Sequence, residues 1–283
     1  MASTLRHRWA ALSPREAGER RPPVPPGRRP GLTRRARLVY SALGVAAILL
    51  VWQVLALVVN PVFVASPAAT AVALARLAWE GRLWIELAIT LKRLVLGLAL
   101  GASAGWALGV LAGLEPRVRS FFEPVRWVVM TIPAVVIAML AMLWFGLGDR
   151  TVIFMVAVIV FPTMFVNTVS GVLSIDTRLI EMGHVYRFPR RLMLTEVYLP
   201  GVASPALAGL TLAAGIGVRA VVLGEVLAAM SGIGHAFSRA HSWLETEELF
   251  AWIVVLVGLM GLIEFAALRP LRRRALSWRE GRE

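Results

Sequence analysis

The chain of 283 residues contains no cysteine. Disulfide scaffolds, zinc–thiolate sites and iron–sulfur clusters need cysteine, so these classes are excluded. Acidic residues are also scarce, with 17 Asp and Glu against 30 Lys and Arg. The composition is 58% hydrophobic, above the roughly 45–50% of a soluble domain, and the mean hydropathy is +0.72. These figures exclude a disordered chain and an ordinary soluble enzyme, and they indicate an integral membrane protein.

The motifs of the common catalytic classes are missing as well. The sequence has no GxxxxGK[ST] nucleotide-binding loop, no HExxH and no GxSxG. Its four histidines are scattered, and no two of them lie on facing apolar segments. We therefore expect this polypeptide to have no catalytic residues, no metal site and no cofactor of its own.

The positive charge is concentrated at the two ends of the chain. Residues 1–37 hold ten Arg and two Glu, a balance of +8, and residues 269–283 hold six Arg and two Glu, a balance of +4. Because these ends flank apolar segments, the net charge of +13 does not indicate nucleic-acid binding. The Arg- and Pro-rich segment 1–37 predicts a disordered cytoplasmic tail without a secretory signal, and 269–283 predicts a basic cytoplasmic tail. Contact with anionic lipid headgroups is the alternative for the first segment.

Between these tails, residues 38–268 predict an all-α membrane domain. A span of about 20 apolar residues crosses a hydrocarbon core about 30 Å thick. Six runs reach this length: 38–59, 88–113, 125–146, 151–173, 201–229 and 249–268. Arginine clusters precede the first span, separate the second from the third and the fourth from the fifth, and follow the sixth. The positive-inside rule then places both termini in the cytoplasm. Lys92 and Arg93 lie near the predicted outer end of the second span, where we expect their side chains to snorkel to the interface.

Glycines recur at every fourth position of the second span. A stripe of small residues lets another helix approach closely in lipid, so helix packing is the expected role, with a sliding surface as the alternative. The stripe consists of Gly97, Gly101, Gly105, Gly109 and Gly113. The fifth span repeats the pattern less strictly, with Gly201, Gly209, Ala213 and Gly217.

The segment 174–200, on the predicted cytoplasmic side, has the features of two short amphipathic helices joined by a bend. Ser174 or Asp176 can cap the first helix, and Pro189 suits the first turn of the second. Pro200 and Gly201 are then expected to break the chain before the fifth span. An exposed apolar surface on such helices needs a partner.

Within this segment, Glu181-Met182-Gly183 followed by Leu199-Pro200 resembles the EAA loop of the inner-membrane permeases of binding-protein-dependent ATP-binding-cassette importers. The resemblance is to the sulfonate, taurine, nitrate and bicarbonate branch and extends from about residue 65 to 270. Further matching pieces are Ile132-Pro133, 143–148, Phe161-Pro162, Asn167-Thr168, Gly224-Glu225 and 231–234.

The resemblance implies the type I importer permease fold in a bacterial inner membrane. It also implies a separate ATPase subunit, an external substrate-binding protein and a second permease copy. In this family the EAA loop docks on the ATPase, so the residues expected to couple to it are Glu181, Met182, Gly183, Arg187, Leu199 and Pro200. Arg187 stands where the family usually has a glycine. Because Arg tolerates a positive φ poorly, we expect the bend to differ or Pro189 to reset it.

Three polar residues within the spans are candidates for the translocation path. Arg219 and Glu225 lie in the fifth span, where a charge near the centre costs roughly 2.5–3.5 kcal/mol on insertion scales. Arg219 either attracts an anionic solute or pairs with a carboxylate on a neighbouring helix or on the second copy. Glu225 stands where the family tends to have Glu. Asn167 lines the path or bridges helices.

The segment 231–248 is expected to form a short interfacial helix, and 66–89 a helix that lies on the outer surface. A binding protein would dock on 231–248 and on the region 60–87. The sequence therefore predicts a permease subunit that passes a small anion resembling a sulfonate, taurine, nitrate or bicarbonate. An ion-gradient-driven transporter or channel, and a membrane scaffold without a solute, remain the alternatives.

Overall fold

The computed structural model describes residues 34–60 and 62–263. The predicted tail 269–283, most of the predicted tail 1–37 and the inner end of the sixth span lie outside these residues. Every regular element in the described part is helical. The elements are α1 (Arg34–Val58), α2 (Pro67–Trp79), α3 (Arg82–Leu114), α4 (Pro116–Thr131), α5 (Ala134–Phe145), α6 (Asp149–Leu173), α7 (Thr177–Val185), α8 (Arg190–Leu192), α9 (Leu199–Ala228), α10 (Ile233–Ser242) and α11 (Thr246–Leu262), with a π-helical segment at Met193–Tyr198.

The chain divides into two compact units, Met1–Val51 and Trp52–Glu283. In the described part of the first unit the chain is the apolar N-terminal portion of α1. The second unit holds the remaining helices.

Four helical stretches of the described residues are long and apolar enough to cross a membrane: Leu38–Val58, Arg82–Leu114, Asp149–Leu173 and Met193–Ala228. The predicted span 125–146 is not one straight helix, because α4 and α5 meet at an angle of 101°. Pro133 causes this break, since it has no backbone N–H and holds Ile132 in an extended conformation, with φ −68° and ψ 127°. Counted as one broken span, the pair gives five. α11 contributes 17 residues up to Leu262, so the six-span count and the orientation stay predictions.

α3, α6 and α9 form the central packing. The structure places the glycine stripe of α3 against α6. A Cβ atom at Gly97 would lie 2.6 Å from Val156 Cβ, and one at Gly109 would lie 2.7 Å from Thr168 Cβ. The two backbones therefore approach each other at a distance that only glycine permits. On α9, Gly217 packs less tightly, since its added Cβ atom would lie 3.2 Å from Leu94 Cδ1 at the end of a side chain of α3.

A second apolar cluster lies at the predicted outer end. It joins α2, α10, α11 and the start of α3 through buried residues such as Leu77, Ile233 and Trp252. The expected helix over 66–89 is interrupted, because Gly81 adopts φ +78° between α2 and α3. Ser66 caps α2 by accepting a hydrogen bond from the Ala69 backbone N–H at 3.2 Å.

Candidate functional site

The first helix of the 174–200 segment, α7, presents an apolar face to its surroundings. Asp176 caps it by accepting a hydrogen bond from the Arg178 backbone N–H at 2.9 Å. Leu179 is 47% exposed and Met182 is 42% exposed. Glu181 is exposed between them, and no described residue forms a hydrogen bond or ion pair with its side chain. α7 therefore offers apolar surface and an unpaired carboxylate to a partner.

The bend after α7 is built on a non-glycine residue in the left-handed region. Arg187 has φ +52°. Its backbone N–H donates to His184 O at 3.0 Å, and the Phe188 N–H donates to Gly183 O at 2.9 Å, which is the hydrogen-bond pattern of a Schellman cap. The expectation that the bend differs or that Pro189 resets it was wrong. Arg187 takes the conformation that glycine usually takes, at a cost of about 1–2 kcal/mol.

Gly183 lies where α7 meets the following helix. It is buried, and an added Cβ atom would press into the sulfur of Met193 and would touch Phe188 at an ordinary contact distance. A groove of about 590 Å³ opens beside this contact, lined by Leu114, Gly183, His184, Arg187, Phe188, Met193, Leu194 and Tyr198. Met182 thus faces outward while Gly183 permits the close approach beneath it.

The predicted break at Pro200-Gly201 is absent. Helix runs without interruption from Arg190 through the π-helical segment into α9. Proline lacks the N–H that an α-helix interior requires. The wider π turn that ends at Tyr198, where the Leu199 N–H reaches back to Leu194 O, precedes Pro200 and accommodates it. Leu199 and Pro200 are exposed at this junction. The part of the 174–200 segment from Arg190 onwards is therefore continuous with the fifth span.

Arg219 and Asn167 lie in different surroundings. The Arg219 side chain is exposed on α9, and none of the described residues forms an ion pair with it. Asn167 is half-buried, donates to the Thr163 carbonyl of its own helix at 2.8 Å and packs against Gly209 of α9. Asn167 thus bridges α6 and α9 by packing rather than by a hydrogen bond between them.

Glu225 lies in a buried cluster and not on an exposed face of α9. Its side chain is fully buried. It accepts hydrogen bonds from Arg93 Nη1 at 2.8 Å, from Thr90 Oγ1 at 2.9 and 3.0 Å, and from the Gly234 backbone N–H at 3.0 Å. The structure therefore does not support a place for Glu225 on the translocation path in the conformation that it describes.

Arg93 is the centre of this cluster. It is 1% exposed, so the expectation that its side chain snorkels to the interface was wrong. It donates to Glu225, to the carbonyl and hydroxyl of Ser231 at 2.6 and 2.8 Å, and twice to Asp149 Oδ1 at 2.6 and 2.9 Å. These five hydrogen bonds match its five donors. Asp149 also binds Lys92 Nζ at 2.6 Å. We name the set Thr90, Arg93, Asp149, Glu225 and Ser231 the Glu225 cluster.

Sequence analysis missed the Glu225 cluster. Arg93 and Glu225 are 132 residues apart, and hydropathy patterns carry no pairing information over that distance. The available signal was the presence of both charges in apolar helices, since a charge there needs a partner.

A family model and two relatives indicate the same class of membrane protein. The model of the family "Binding-protein-dependent transport system inner membrane component" matches residues 97–275. The chain is 29% identical to a putative aliphatic sulfonates transport permease protein, SsuC, of Bacillus subtilis (strain 168) over 240 residues, 84% of this chain and 87% of the relative. It is also 29% identical to the taurine transport system permease protein TauC of Escherichia coli (strain K12), over 86% of this chain and 91% of the relative.

A solved structure shares the fold. A chain of the MetNI methionine ABC transporter, in inward-facing conformations, matches with a TM-score of 0.52 and 21% sequence identity. The match covers 67% of this chain and 92% of that chain.

Proposed function

The chain belongs to the family of binding-protein-dependent transport system inner membrane components, and from this premise we propose that its solute is a small anion of the sulfonate or taurine class. It is the permease subunit of an ATP-binding-cassette importer and a multi-pass protein of the inner membrane. A separate subunit hydrolyses ATP, and a substrate-binding protein delivers the solute. The relatives do not support the alternative of an ion-gradient-driven transporter or channel. The proposal assigns no metal or cofactor to the chain itself.

The choice of solute class rests on two observations. The relatives with the broadest matches carry the names of aliphatic sulfonate and taurine permeases. In this chain, Arg219 provides an exposed, unpaired cation on the fifth span. A guanidinium binds the planar or tetrahedral oxygens of such anions through its fork of donors. Nitrate and bicarbonate are the competing solutes.

The 174–200 segment is proposed as the contact with the ATPase. The observation that carries this assignment is the exposed apolar face of α7 with an unpaired Glu181 beside it. In water, apolar surface and a free carboxylate at one place suit a protein partner. Glu181 and Met182 would contact the partner, Gly183 and Arg187 would set the angle of α7, and Leu199 and Pro200 would pass its movement to α9.

A second copy of the chain is proposed as the partner within the membrane. Arg219 and Leu212, which is 57% exposed, lie on an open face of α9. An arginine facing lipid costs roughly 2.5–3.5 kcal/mol, whereas an aqueous path enclosed by two copies removes that cost. In a homodimer, Arg219 would line the shared aqueous path, and the second copy would cover the open face of α9 that carries Leu212.

Uptake by a reconstituted complex tests the solute class. The chain, the ATPase and the binding protein are placed in proteoliposomes, and accumulation of radiolabelled taurine is measured with an excess of unlabelled methanesulfonate, nitrate or bicarbonate. We expect ATP-dependent uptake that methanesulfonate reduces and that nitrate and bicarbonate leave unchanged. Uptake by the chain alone, insensitive to ATP and abolished by an ionophore, would contradict the importer assignment. Inhibition by nitrate or bicarbonate alone would contradict the solute class.

A further inference from the structure

Two of the apolar clusters of the described residues, the central cluster and the second cluster, are joined through a polar link. The central cluster holds residues of α3, α6 and α9, such as Val156 and Val221. The second cluster holds α2, α10 and α11 with the start of α3. The Glu225 cluster brings together α3, α6, α9 and the loop before α10 through ion pairs and hydrogen bonds.

The link fixes the first turn of α10 by its backbone. Three successive N–H groups are held by side chains of other helices: Gly232 donates to Glu86, Ile233 donates to Thr90 Oγ1 at 2.9 Å, and Gly234 donates to Glu225 at 3.0 Å. The first N–H groups of a helix have no partner within the helix, so these side chains supply what α10 lacks. Of the three acceptors, only Glu225 belongs to α9.

Gly232 and Gly234 permit the close contact between residues 231–234 and α9. Gly232 adopts φ +96°, which side chains rarely tolerate. At Gly234, a Cβ atom would lie 2.7 Å from Glu225 Cβ, so the loop rests directly on α9. α10 therefore sits on the end of α9 without an intervening side chain.

α9 reaches the 174–200 segment at its other end. The continuous helical stretch from Arg190 to Ala228, 39 residues, is roughly 58 Å long at about 1.5 Å per residue. Gly183 of α7 packs against Met193, which belongs to this stretch, so a displacement of Met193 by α7 is passed to Glu225 along one continuous helical stretch.

We propose that Glu225 is a positioning residue that makes α10 and the second apolar cluster move with α9. This inference rests on the proposed function, since the movement it transmits is the one the ATPase drives. The Gly234 hydrogen bond carries the coupling, and the Arg93 ion pair neutralises the carboxylate in its buried position. α10 thus presents the outer surface to the binding protein in a position set by α9.

The test distinguishes a role of Glu225 in coupling α10 to α9 from a role in stabilising the fold alone. Removing one partner of a buried ion pair leaves an uncompensated charge, whereas replacing both partners by apolar residues often preserves the fold. The variant Arg93→Met/Glu225→Met removes the pair together and leaves Asp149 paired with Lys92. It deprives the Gly234 N–H and the Thr90 hydroxyl of their acceptor. Thr211→Val is the matched control, because Thr211 lies on α9 and bonds only to Leu207 O of its own helix.

Two measurements are made on the complex in nanodiscs. Because the chain has no native cysteine, Leu227→Cys on α9 and Ser242→Cys on α10 place one spin-label pair in each copy of the chain, and both positions are exposed. Double electron–electron resonance then measures the distance between the two spin labels, first without nucleotide and then with trapped ATP. The second measurement is the ATPase rate with and without taurine-loaded binding protein.

We expect the double variant to assemble with a wild-type basal ATPase rate, to show a broadened Leu227–Ser242 distance, and to lose about tenfold of the stimulation by loaded binding protein. Tenfold is close to the lower end of the effect expected from losing one hydrogen bond to a charged group. A distance as narrow as that of Thr211→Val, with full stimulation, would overturn the inference.

Should the double variant fail to assemble, Glu225→Gln takes its place. The amide keeps the shape of the side chain but has one acceptor oxygen for Arg93 and Gly234. We therefore expect a smaller broadening of the Leu227–Ser242 distance and a smaller loss of stimulation. An unchanged distance and unchanged stimulation in this variant would equally overturn the proposal. Absence of stimulation in the wild-type complex would instead contradict the proposed function, and the distance measurement would still judge the role of Glu225.

Discussion

The stability of the bundle depends on close contact between α3 and α6, and replacing Gly105 tests this directly. A Cβ atom at Gly105 would lie 2.7 Å from Phe161 O and 2.9 Å from Met164 Cβ. Phe161 O is a backbone atom, which cannot rotate away as the end of a side chain can. The two helices must therefore separate by several tenths of an ångström to admit one methyl group.

The expected magnitude follows from two opposing effects. Overpacking of this kind costs typically about 1–3 kcal/mol. Replacing glycine by alanine within a helix favours the helix by roughly 0.5–1 kcal/mol, because glycine loses more backbone freedom on folding. Gly105→Ala should therefore be destabilising overall. Gly258→Ala on α11 is the matched control, since nothing lies within 4 Å of its added Cβ atom, and this change should be neutral or stabilising.

Thermal unfolding of both variants in the same detergent provides the assay. The ten tryptophans of the chain supply an intrinsic fluorescence signal. The apparent Tm values are compared at one scan rate, because unfolding of such proteins is often irreversible. We expect Gly105→Ala to unfold below the wild type and Gly258→Ala at or above it. Equal shifts for the two variants, or a stabilised Gly105→Ala, would refute the close-contact argument.

Four further changes have defined outcomes. Arg187→Gly should raise the apparent Tm of the purified chain, because glycine adopts φ +52° without strain, and a lower Tm would contradict this account. Arg93→Met alone should cost about 3–5 kcal/mol by leaving the Glu225 carboxylate without its counter-ion, and wild-type stability in thermal unfolding would count against the pairing. Arg219→Leu should raise the KM of taurine uptake, with Arg219→Lys between it and the wild type; an unchanged KM would remove Arg219 from the path. Gly232→Ala should lower the Tm, since φ +96° strains alanine and its Cβ would meet the Glu225 carboxylate, whereas an unchanged Tm would show that the loop has another conformation.

The helical class and the family could be predicted from the sequence, because both depend on local patterns. Apolar runs located α1, α6 and α9 to within four residues at each end, whereas α3 begins six residues before the predicted span. Pro133 was visible in the sequence, yet the 101° bend that it causes was not predicted, since hydropathy continues across the break.

At Pro200 a break was predicted where the structure has none. Its lack of an N–H suggested a break, but a π turn before it keeps the helix continuous. Arg187 was expected to force a different bend, and the hydrogen bonds of Phe188 and Arg187 hold it in the left-handed conformation instead. In both cases neighbouring backbone bonds override the preference of a single residue.

The Glu225 cluster could not be predicted, because its members are distant in the sequence and are joined only by the packing of three helices. Arg93 and Glu225 looked like two isolated charges, one near an interface and one on a possible path. Only the close approach of α3, α9 and the 231–234 loop turns them into one saturated network.

The contact between α7 and the ATPase is the central claim, and thiol cross-linking tests it most directly. A single cysteine at Met182, in a chain with no other cysteine, is treated with a bifunctional thiol reagent in inverted membrane vesicles that contain the whole complex. The account predicts a cross-linked product between this chain and the ATPase whose yield changes when ATP is trapped. It would be contradicted if Met182→Cys gave no such product and reacted with a membrane-impermeant thiol reagent only from the outer side of intact cells.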